Sequence, residues 1–576
     1  MVGERRGLTE TDFTMCHLCA ARRPADAAAA LDDHQAAARP GGRGPAGAGD
    51  LAEIAEFLSD GFWVRDHDGP RAFAASVGSI IAYDISGLPK ATAMLAKAAL
   101  QAWADVSGLV FREVNGPSSA QIIFDDGKDD EAFASSDVID GTIVQSFVNV
   151  GEFWVKDETP SLNSYWFQTY LHEVGHALGL GHAGPYDGRA DKEDREFPND
   201  SWQATVMSYF TQEQTPRLGA DDAYVATLMP ADILAIQALY GTDVATRPGD
   251  TVYGANSDVG GYLGRLFAAQ FDFMDLGEAV NLDFAATFTL YDTGGIDTLD
   301  TSNFRSDQRI DLGVLAASDV GGIRGNVLIG PDTVIENAVG GHGDDRMRGN
   351  AADNILSGNA GDDRLRGLAG DDTLSGAAGR DTLDGGSGWD GAVFLGWGRV
   401  TADLDRQAAR QEGKGADALL AIEWLQTARG NDRLAGDAGD NRIASGSGWD
   451  RLVGRAGNDS LIGGIGGDRL IGGAGDDRLI GGSGNDSLSG GRGADQFHFV
   501  AGADRITDFD AAQDTLVLPR AALIWGDTQT GQGVVDRFAA VRGGDLVLTF
   551  DAIGSPTLRL EGFTDRAALA AAIELV

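Results

Sequence analysis

Apolar residues along this chain keep three different rhythms, and each predicts a different kind of structure. Between Ala91 and Val110 (ATAMLAKAALQAWADVSGLV) they recur at the spacing of one helix face, and the pattern stops near Gly108. Leu162–Leu178 predicts a second helix in the same way. Gly141–Val150 (GTIVQSFVNV) is rich in β-branched residues and predicts a strand. Helices alternating with short strands from Leu51 to about Gly241 predict a mixed α+β domain. From Gly340 onward the pattern becomes one fixed apolar position in every nine residues. Units run from GGHGDDRMR at Gly340 to GGSGWDGAV, and again from TARGNDRLA at Thr427 to GGRGADQFH, fourteen in all, with a spacer at 394–426. A repeat held in one phase over this length is architecture rather than composition.

The unit explains its own residues. Glycines at the first, second and fourth places permit turn conformations that side chains forbid and expose carbonyl oxygens, as at Gly341, Gly343, Gly464, Gly466, Gly473, Gly475, Gly482 and Gly484. The eighth place is apolar, as in Met347, Leu365, Leu374, Leu461, Leu470 and Phe497. Short strands that each carry one inward residue, stacked on their neighbours, build an all-β parallel roll with a thin core. The sixth place is Asp345, Asp363, Asp372, Asp381 and Asp390 in the first array, and Asp432, Asp450, Asp459, Asp468, Asp477, Asp486 and Asp495 in the second. Turn carbonyls and aspartates aligned between successive coils offer the six to eight oxygens that calcium takes. Asn354 and Asn441 replace the aspartate, and Ala352 replaces a fourth-place glycine, so sites at those turns are expected to be weak or empty. A flexible glycine-rich linker would account for the glycines but not for the fixed Asp and apolar places.

Composition agrees. The chain has 82 glycines, crowded between Gly340 and Gly493, and 87 acidic against 45 basic residues, a net charge of −42. That balance argues against nucleic acid as a partner and suits a binder of hard cations. Cys16 and Cys19 are the only cysteines, so the body of the chain has no disulfide framework. Met1–Met15 does not read as a Sec signal peptide, and no apolar window is long enough for a transmembrane helix.

Residues 172–182 read HEVGHALGLGH. His172 and His176, four apart, share one helix face. Glu173 can reach a metal-bound water. Gly179 lets the chain reverse and bring His182 round as a third nitrogen. Three protein ligands and one open position describe a catalytic zinc site rather than a structural one. The chemistry this suggests is hydrolysis by activated water, with Glu173 as general base.

The string is the metzincin signature. Together with SYWFQTYLHEVGHALGLGHAGPYDG (164–188), NDSWQATVMSYF (199–210), Met229–Gly241 and Thr246–Gly254 it resembles the serralysin family, and the repeats resemble the RTX β-roll of proteins exported by type I secretion. The resemblance implies that Met207 forms an apolar floor under one catalytic Zn2+. It also implies that Tyr209 is an extra, mobile zinc ligand that stabilises the oxyanion. Arg247, Gly249, Thr251, Asp292, Gly294, Gly295, Asp297 and Glu336 match the family's further calcium positions, so several structural Ca2+ ions are expected.

The implied protein is a secreted, extracellular zinc- and calcium-dependent endopeptidase. Its partners would be protein or peptide substrates, a type I exporter and a proteinaceous inhibitor, and it would act as a monomer. The expected division is a leader with linker (1–50), an α+β metzincin-like protease domain (51–245) and a junction (246–339). The roll (340–500) and a closing segment with the export signal (501–576) follow. Gly141–Val150 is the candidate strand for pairing with an extended substrate. Cys16 or Cys19 could block the open zinc position as a latency device, or be an incidental pair. Two other readings stand beside the protease, an RTX surface adhesin and a zinc-binding module without catalysis. Glu173 and Tyr209 argue against both.

Overall fold

The helix-spaced run at Ala91 folds as predicted, and its end has a physical cause. In the computed structural model, which describes residues 14–15, 48–65, 69–128, 131–152, 154–155, 158–186, 188, 190–215, 219–520, 530–550 and 556–576, helix α1 spans Ala48–Glu56 and α2 spans Lys90–Ser107. Helix α2 closes on Gly108 in the left-handed conformation (φ 66°). Its apolar stripe, Leu95, Ala99, Trp103 and Val106, is buried. The Trp103 indole N–H donates to the Leu171 carbonyl (3.0 Å) on helix α3, Tyr165–Ala177. Helix α4 is Pro230–Tyr240.

These helices pack with a sheet of β1 (Thr14–Met15), β2 (Ala72–Phe73), β3 (Ile80–Asp84), β4 (Val110–Glu113), β5 (Ile122–Asp125), β6 (Ala132–Ile139) and β7 (Thr142–Val150). Its order is β1-β6-β7-β5-β3-β4, with β2 paired to β7. The strand expected at Gly141–Val150 is present, but the substrate role assigned to it does not survive. It is hydrogen-bonded by β5 on one side and antiparallel β6 on the other, so no ladder positions remain for an added strand. Outside β7 lies β6, whose outer side is paired, among the described residues, only at Ser135 and Ser136, by the two residues of β1, Thr14 opposite Ser136. Cys16 and Cys19 lie outside the described residues.

The chain divides into two compact units, one reaching Ala338 and the other Val339–Val576. Residues 246–338 therefore fold with the segment that precedes them. Ala286–Leu290 pairs in parallel with Tyr224–Val225 and with Ile323–Ile329, and Val252–Gly254 pairs with Thr298–Asp300.

In the second unit two nine-residue repeats make one coil. Strand residues pair in parallel with those eighteen positions on, Met347 with Leu365 and Leu365 with Leu383 in one sheet, Leu356 with Leu374 and Leu374 with Ala392 in the other. The eighth-place side chains are buried between the sheets. The spacer does not interrupt the roll. Val400–Asp403, Ala408–Gln411 and Ala416–Leu420 form an antiparallel meander joining Thr382–Ser387 to Arg433–Ala435 in one sheet. Trp424–Thr427 stacks directly on Gly391–Phe394 in the other. Stacking continues past the last repeat, Ile506 on Leu560 and Leu516 on Ile573.

The α+β segment followed by an all-β roll matches the expected fold class. Close stacking also sets a testable limit. A β-carbon at Gly466 (φ 141°) would overlap the Gly448 carbonyl oxygen of the preceding coil. Gly466→Ala is expected to lower the calcium-dependent melting temperature of the roll by several degrees, read by circular dichroism, while zinc content is unchanged.

Candidate metal centres

Helix α3 is buried on all sides, which fixes the pair of imidazoles it carries. On its back face the helix comes so close to Met207 that a β-carbon at Gly175 would lie 2.7 Å from the Met207 sulfur. Met207 is fully buried. Past Leu178 the chain turns at Gly179 (φ 109°), where a side chain would strike the Arg71 carbonyl. The Trp63 indole N–H holds the Gly179 carbonyl at 2.7 Å. This reversal brings His182 back beneath the Phe62 ring (centroids 5.4 Å apart).

The three imidazoles meet. His172 Nε2 lies 3.1 Å from His176 Nε2 and 3.3 Å from His182 Nε2, and His176 and His182 are 3.0 Å apart. Among the described residues these form the one group of three or more His, Cys, Asp or Glu ligand atoms within 4.8 Å of one another. The opposite nitrogens settle the tautomers. His172 Nδ1 donates to the Val206 carbonyl (2.9 Å) and His176 Nδ1 to the Leu180 carbonyl (2.8 Å). A carbonyl can only accept, so both Nε2 atoms present lone pairs to each other. Such crowding is unfavourable without a cation between them. Tetrahedral zinc with Zn–N bonds of about 2.0–2.1 Å would set its nitrogens about 3.3 Å apart. The residues fit that ion.

The Tyr209 hydroxyl lies 3.0 Å from His182 Nε2 and accepts from Gly188 N–H (3.3 Å). Its ring packs on Tyr186 (4.8 Å), whose hydroxyl donates to Asp200 (2.9 Å). Glu173 is fully buried and, with His172, Tyr209 and Trp202, lines a small pocket beside the histidines. Sequence reasoning missed Asp232. This buried carboxylate in the first turn of α4 accepts from Val206 N–H and Met229 N–H (2.9 Å each), and so clamps the turn whose carbonyl orients His172.

The junction positions also gather. Asp297 accepts from Thr251 N–H (2.8 Å) and its own N–H donates to Glu336 (2.7 Å). Asp292 accepts from Gly294 N–H (3.0 Å) and Tyr253 O–H (2.6 Å), and a β-carbon at Gly295 would press on Gly249. Arg247 sits at φ 49° with its guanidinium on Asp105 (3.1 Å), leaving its backbone on the turn. Asp297 Oδ2 is buried with no hydrogen-bond partner. Burial first, then Asp292 and Glu336, pushes its carboxyl up to about 7.

In the roll each sixth-place carboxylate splits its duties. One oxygen accepts a backbone N–H from the coil before it, as Asp363 does from Asp345 and Asp486 from Asp468 (2.8 and 2.9 Å). The other oxygen, at Asp363, Asp372, Asp381, Asp390, Asp450, Asp459, Asp468, Asp477 and Asp486, is buried with no hydrogen-bond partner. Buried carboxylate oxygens left over beside glycine carbonyls are what a calcium ion would use. At Asn354 and Asn441 the side-chain oxygen instead accepts a local N–H, from Asn350 and Asp437 (2.9 and 2.8 Å). Asp345 and Asp432, which open the two arrays, are similarly engaged by Gly341 and Thr427 (2.6 Å each).

Four more acids play the same part unannounced. Asp417 and Glu423 in the spacer accept from Asp381 and Asp390 (3.0 and 2.8 Å), and Asp504 and Asp514 accept from Asp486 and Asp495 (3.0 and 3.1 Å). The full repeat has lapsed there, but the fourth-place glycine and the acid two residues before an apolar strand position, as in Gly415–Asp417–Leu419 and Gly502–Asp504–Ile506, are the surviving signal.

Comparison with known proteins follows the same division. The matrixin model matches residues 79–187, the model described as peptidase M10 serralysin C terminal matches 242–392, and the RTX calcium-binding nonapeptide repeat matches 426–461 and 462–497. Parts of the chain are thus similar to matrixin, serralysin C-terminal and RTX segments. It is 36% identical over 322 residues to Metallopeptidase AprA of Pseudomonas marginalis, covering 52% of this chain and 64% of that one. It is 40% identical over 265 residues to Serralysin B of Dickeya chrysanthemi, covering 43% and 51%. The serralysin-like chain thus spans between about half and two thirds of these relatives' length. Among its described residues no helix is long and apolar enough to cross a membrane.

The roll's carboxyls set a pH dependence. Burial pushes Asp363 up to about 8 and Asp372, Asp459 and Asp477 to about 7, from an ordinary value of 3.8. A carboxyl raised in the fold is protonated there while the unfolded chain has already ionised, so folding without metal takes up protons. The stability this adds below pH 3.8 is lost as pH rises through about 7–8. In chelator, the roll's β signal is therefore expected to persist near pH 5 and fade toward pH 8, where calcium restores it. Circular dichroism across pH, with and without calcium, checks this.

Proposed function

We propose that the chain is a secreted zinc metalloendopeptidase that cuts polypeptides with a metal-activated water and depends on calcium for its folded roll. The observation that carries this reading is the meeting of three Nε2 atoms, two of them with lone pairs fixed by carbonyls, beside a buried Glu173 and the Tyr209 hydroxyl. A zinc ion held by His172, His176 and His182 would polarise the scissile carbonyl and lower the pKa of water toward neutrality.

Glu173 follows His172 on the same helix and shares its pocket, which supports it as the base that takes the water's proton and returns it to the departing amine. The Tyr209 hydroxyl, close to His182 Nε2, is suited to donate to the carbonyl oxygen as negative charge grows there. Val206 and Leu180 carbonyls keep the ligand imidazoles in one tautomer and one orientation. Strand β6, whose outer side carries among the described residues only the two-residue pairing with Thr14–Met15, is better suited than β7 to hold an extended substrate.

The calcium reading rests on the leftover carboxylate oxygens. Extracellular modules bind calcium at about 10⁻⁴–10⁻³ M. On that scale the roll would stay unfolded inside the cell, pass a type I exporter and fold outside. A monomer, a proteinaceous inhibitor and removal of the leader complete the reading.

Casein hydrolysis tests it. Glu173→Ala is expected to lose roughly 10²–10⁴-fold of the rate while zinc stoichiometry stays at that of the unmutated protein. Tyr209→Phe is expected to lower kcat by roughly 10²–10³-fold with KM nearly unchanged. Zinc chelation should abolish cleavage and added zinc restore it. Purified, metal-loaded protein that leaves casein and unfolded polypeptides uncut would sink the proposal.

A further inference from the structure

The roll's acidic coat has a gap. In most units the exposed fifth place is Asp or Asn, as at Asp344, Asp353, Asp362, Asp371, Asp440 and Asp476. Along one edge of the second array it reads Asn431, Trp449, Gly467, Asn485, four uncharged residues in successive coils with no Asp among them. Here an open groove of about 710 Å³ is lined by Trp397, Arg429, Asn431, Ser447, Trp449 and Ile465, with a floor of fourth-place glycines. No carboxylate lines it, in a chain of net charge −42. Trp397 is 76% exposed, Trp449 74% and Ile465 64%.

Large aromatic faces left in water on a rigid surface mark a binding site more often than chance exposure does. These indoles are held in place. The Arg429 guanidinium lies 4.4 Å from the Trp397 ring centre. The Trp449 backbone N–H donates to the Asn431 side chain (2.9 Å), fixing the position from which the indole projects, and the Arg399 side chain donates to the Asn431 carbonyl (3.0 Å). Without a side chain at Gly467, the Trp449 indole has room beside it.

We propose that this groove binds a neutral polysaccharide. The coil repeat sets the spacing. A β-carbon at Gly430 would touch the Gly398 carbonyl, and Arg429 bridges to Ser447, so Trp397 and Trp449 belong to coils two steps apart. Two strand spacings are on the order of 10 Å, about the length of a disaccharide. A sugar ring has an apolar C–H face for each indole and a rim of hydroxyls for Arg429, Asn431 and Ser447. Stacked glycines, with no side chains to interrupt them, give a long flexible chain an unobstructed bed. The surrounding negative charge turns away anionic polymers. A stable protein partner would need about 20–30 residues a side, many more than this groove presents. Such a site would keep a secreted catalyst on a glycan surface where its protein substrates are embedded.

The test uses full-length Glu173→Ala protein in millimolar calcium, so that binding is read apart from hydrolysis. Affinity electrophoresis through gels containing a soluble neutral β-glucan or a neutral α-glucan is expected to show retardation by at least one of them. Trp397→Ala and Trp449→Ala should each weaken it at least tenfold, with Trp449→Phe retaining part. The same tryptophan substitutions in the active protein should leave casein cleavage and calcium-dependent circular dichroism unchanged. Three results would overturn the proposal. These are no retardation by either glucan, retardation equal in the tryptophan variants, or a tryptophan-dependent self-association in sedimentation that shows a second copy of the chain in the groove.

Discussion

Electron-rich groups forced together in buried places govern both halves of this molecule. In the first unit, two imidazoles turn their lone pairs toward one another because a carbonyl behind each claims the ring proton. In the roll, carboxylate oxygens are stacked every other repeat with one valence met by the neighbouring coil and one unmet. Neither arrangement is favourable as an empty fold. Each becomes favourable around a cation, and the type of atom presented selects the type of ion. Nitrogen lone pairs at short range suit zinc, and hard oxygens along a flexible turn suit calcium.

The supporting structure is arranged to preserve that tension. Trp103 ties α2 to α3, Met207 fills the space that Gly175 leaves behind the histidine face, and Asp232 pins the turn that orients His172. The first unit thus holds its ligands from behind with ordinary packing and hydrogen bonds, and leaves their front faces open. The second unit has much less to hold with, since a single apolar side chain per repeat is buried. That asymmetry leaves the second unit more sensitive than the first to how its buried carboxylates are satisfied.

The closing of the roll follows from the same economy. A stack of parallel strands has open ends, and an open end invites pairing with another chain. Past the last repeat, Thr557–Leu560 and Ile573–Leu575 add strands to both sheets, and the antiparallel hairpin of Ala539–Arg542 with Asp545–Thr549 finishes one of them. The inserted meander at 400–420 performs a similar service mid-stack, carrying the sheet across a stretch where the repeat lapses.

By itself the sequence determined what is periodic or contiguous. The nine-residue phase predicted the roll, its inward apolar column and its aspartate ladder, because each unit contacts only its neighbours and local order therefore dictates global order. The HEVGH spacing predicted two ligands on one helix face for the same reason, helix geometry being local. What only the tertiary structure decided involves partners far apart in the chain. Asp232 reaches the Val206 turn, and Asp417 and Glu423 reach aspartates more than thirty residues earlier, and no repeat announces them. The position of β7 inside its sheet, between β6 and β5, also lay beyond the sequence. A strand's residues record that it is buried or β-branched, but not which strands flank it, and that choice is made by sheet order alone.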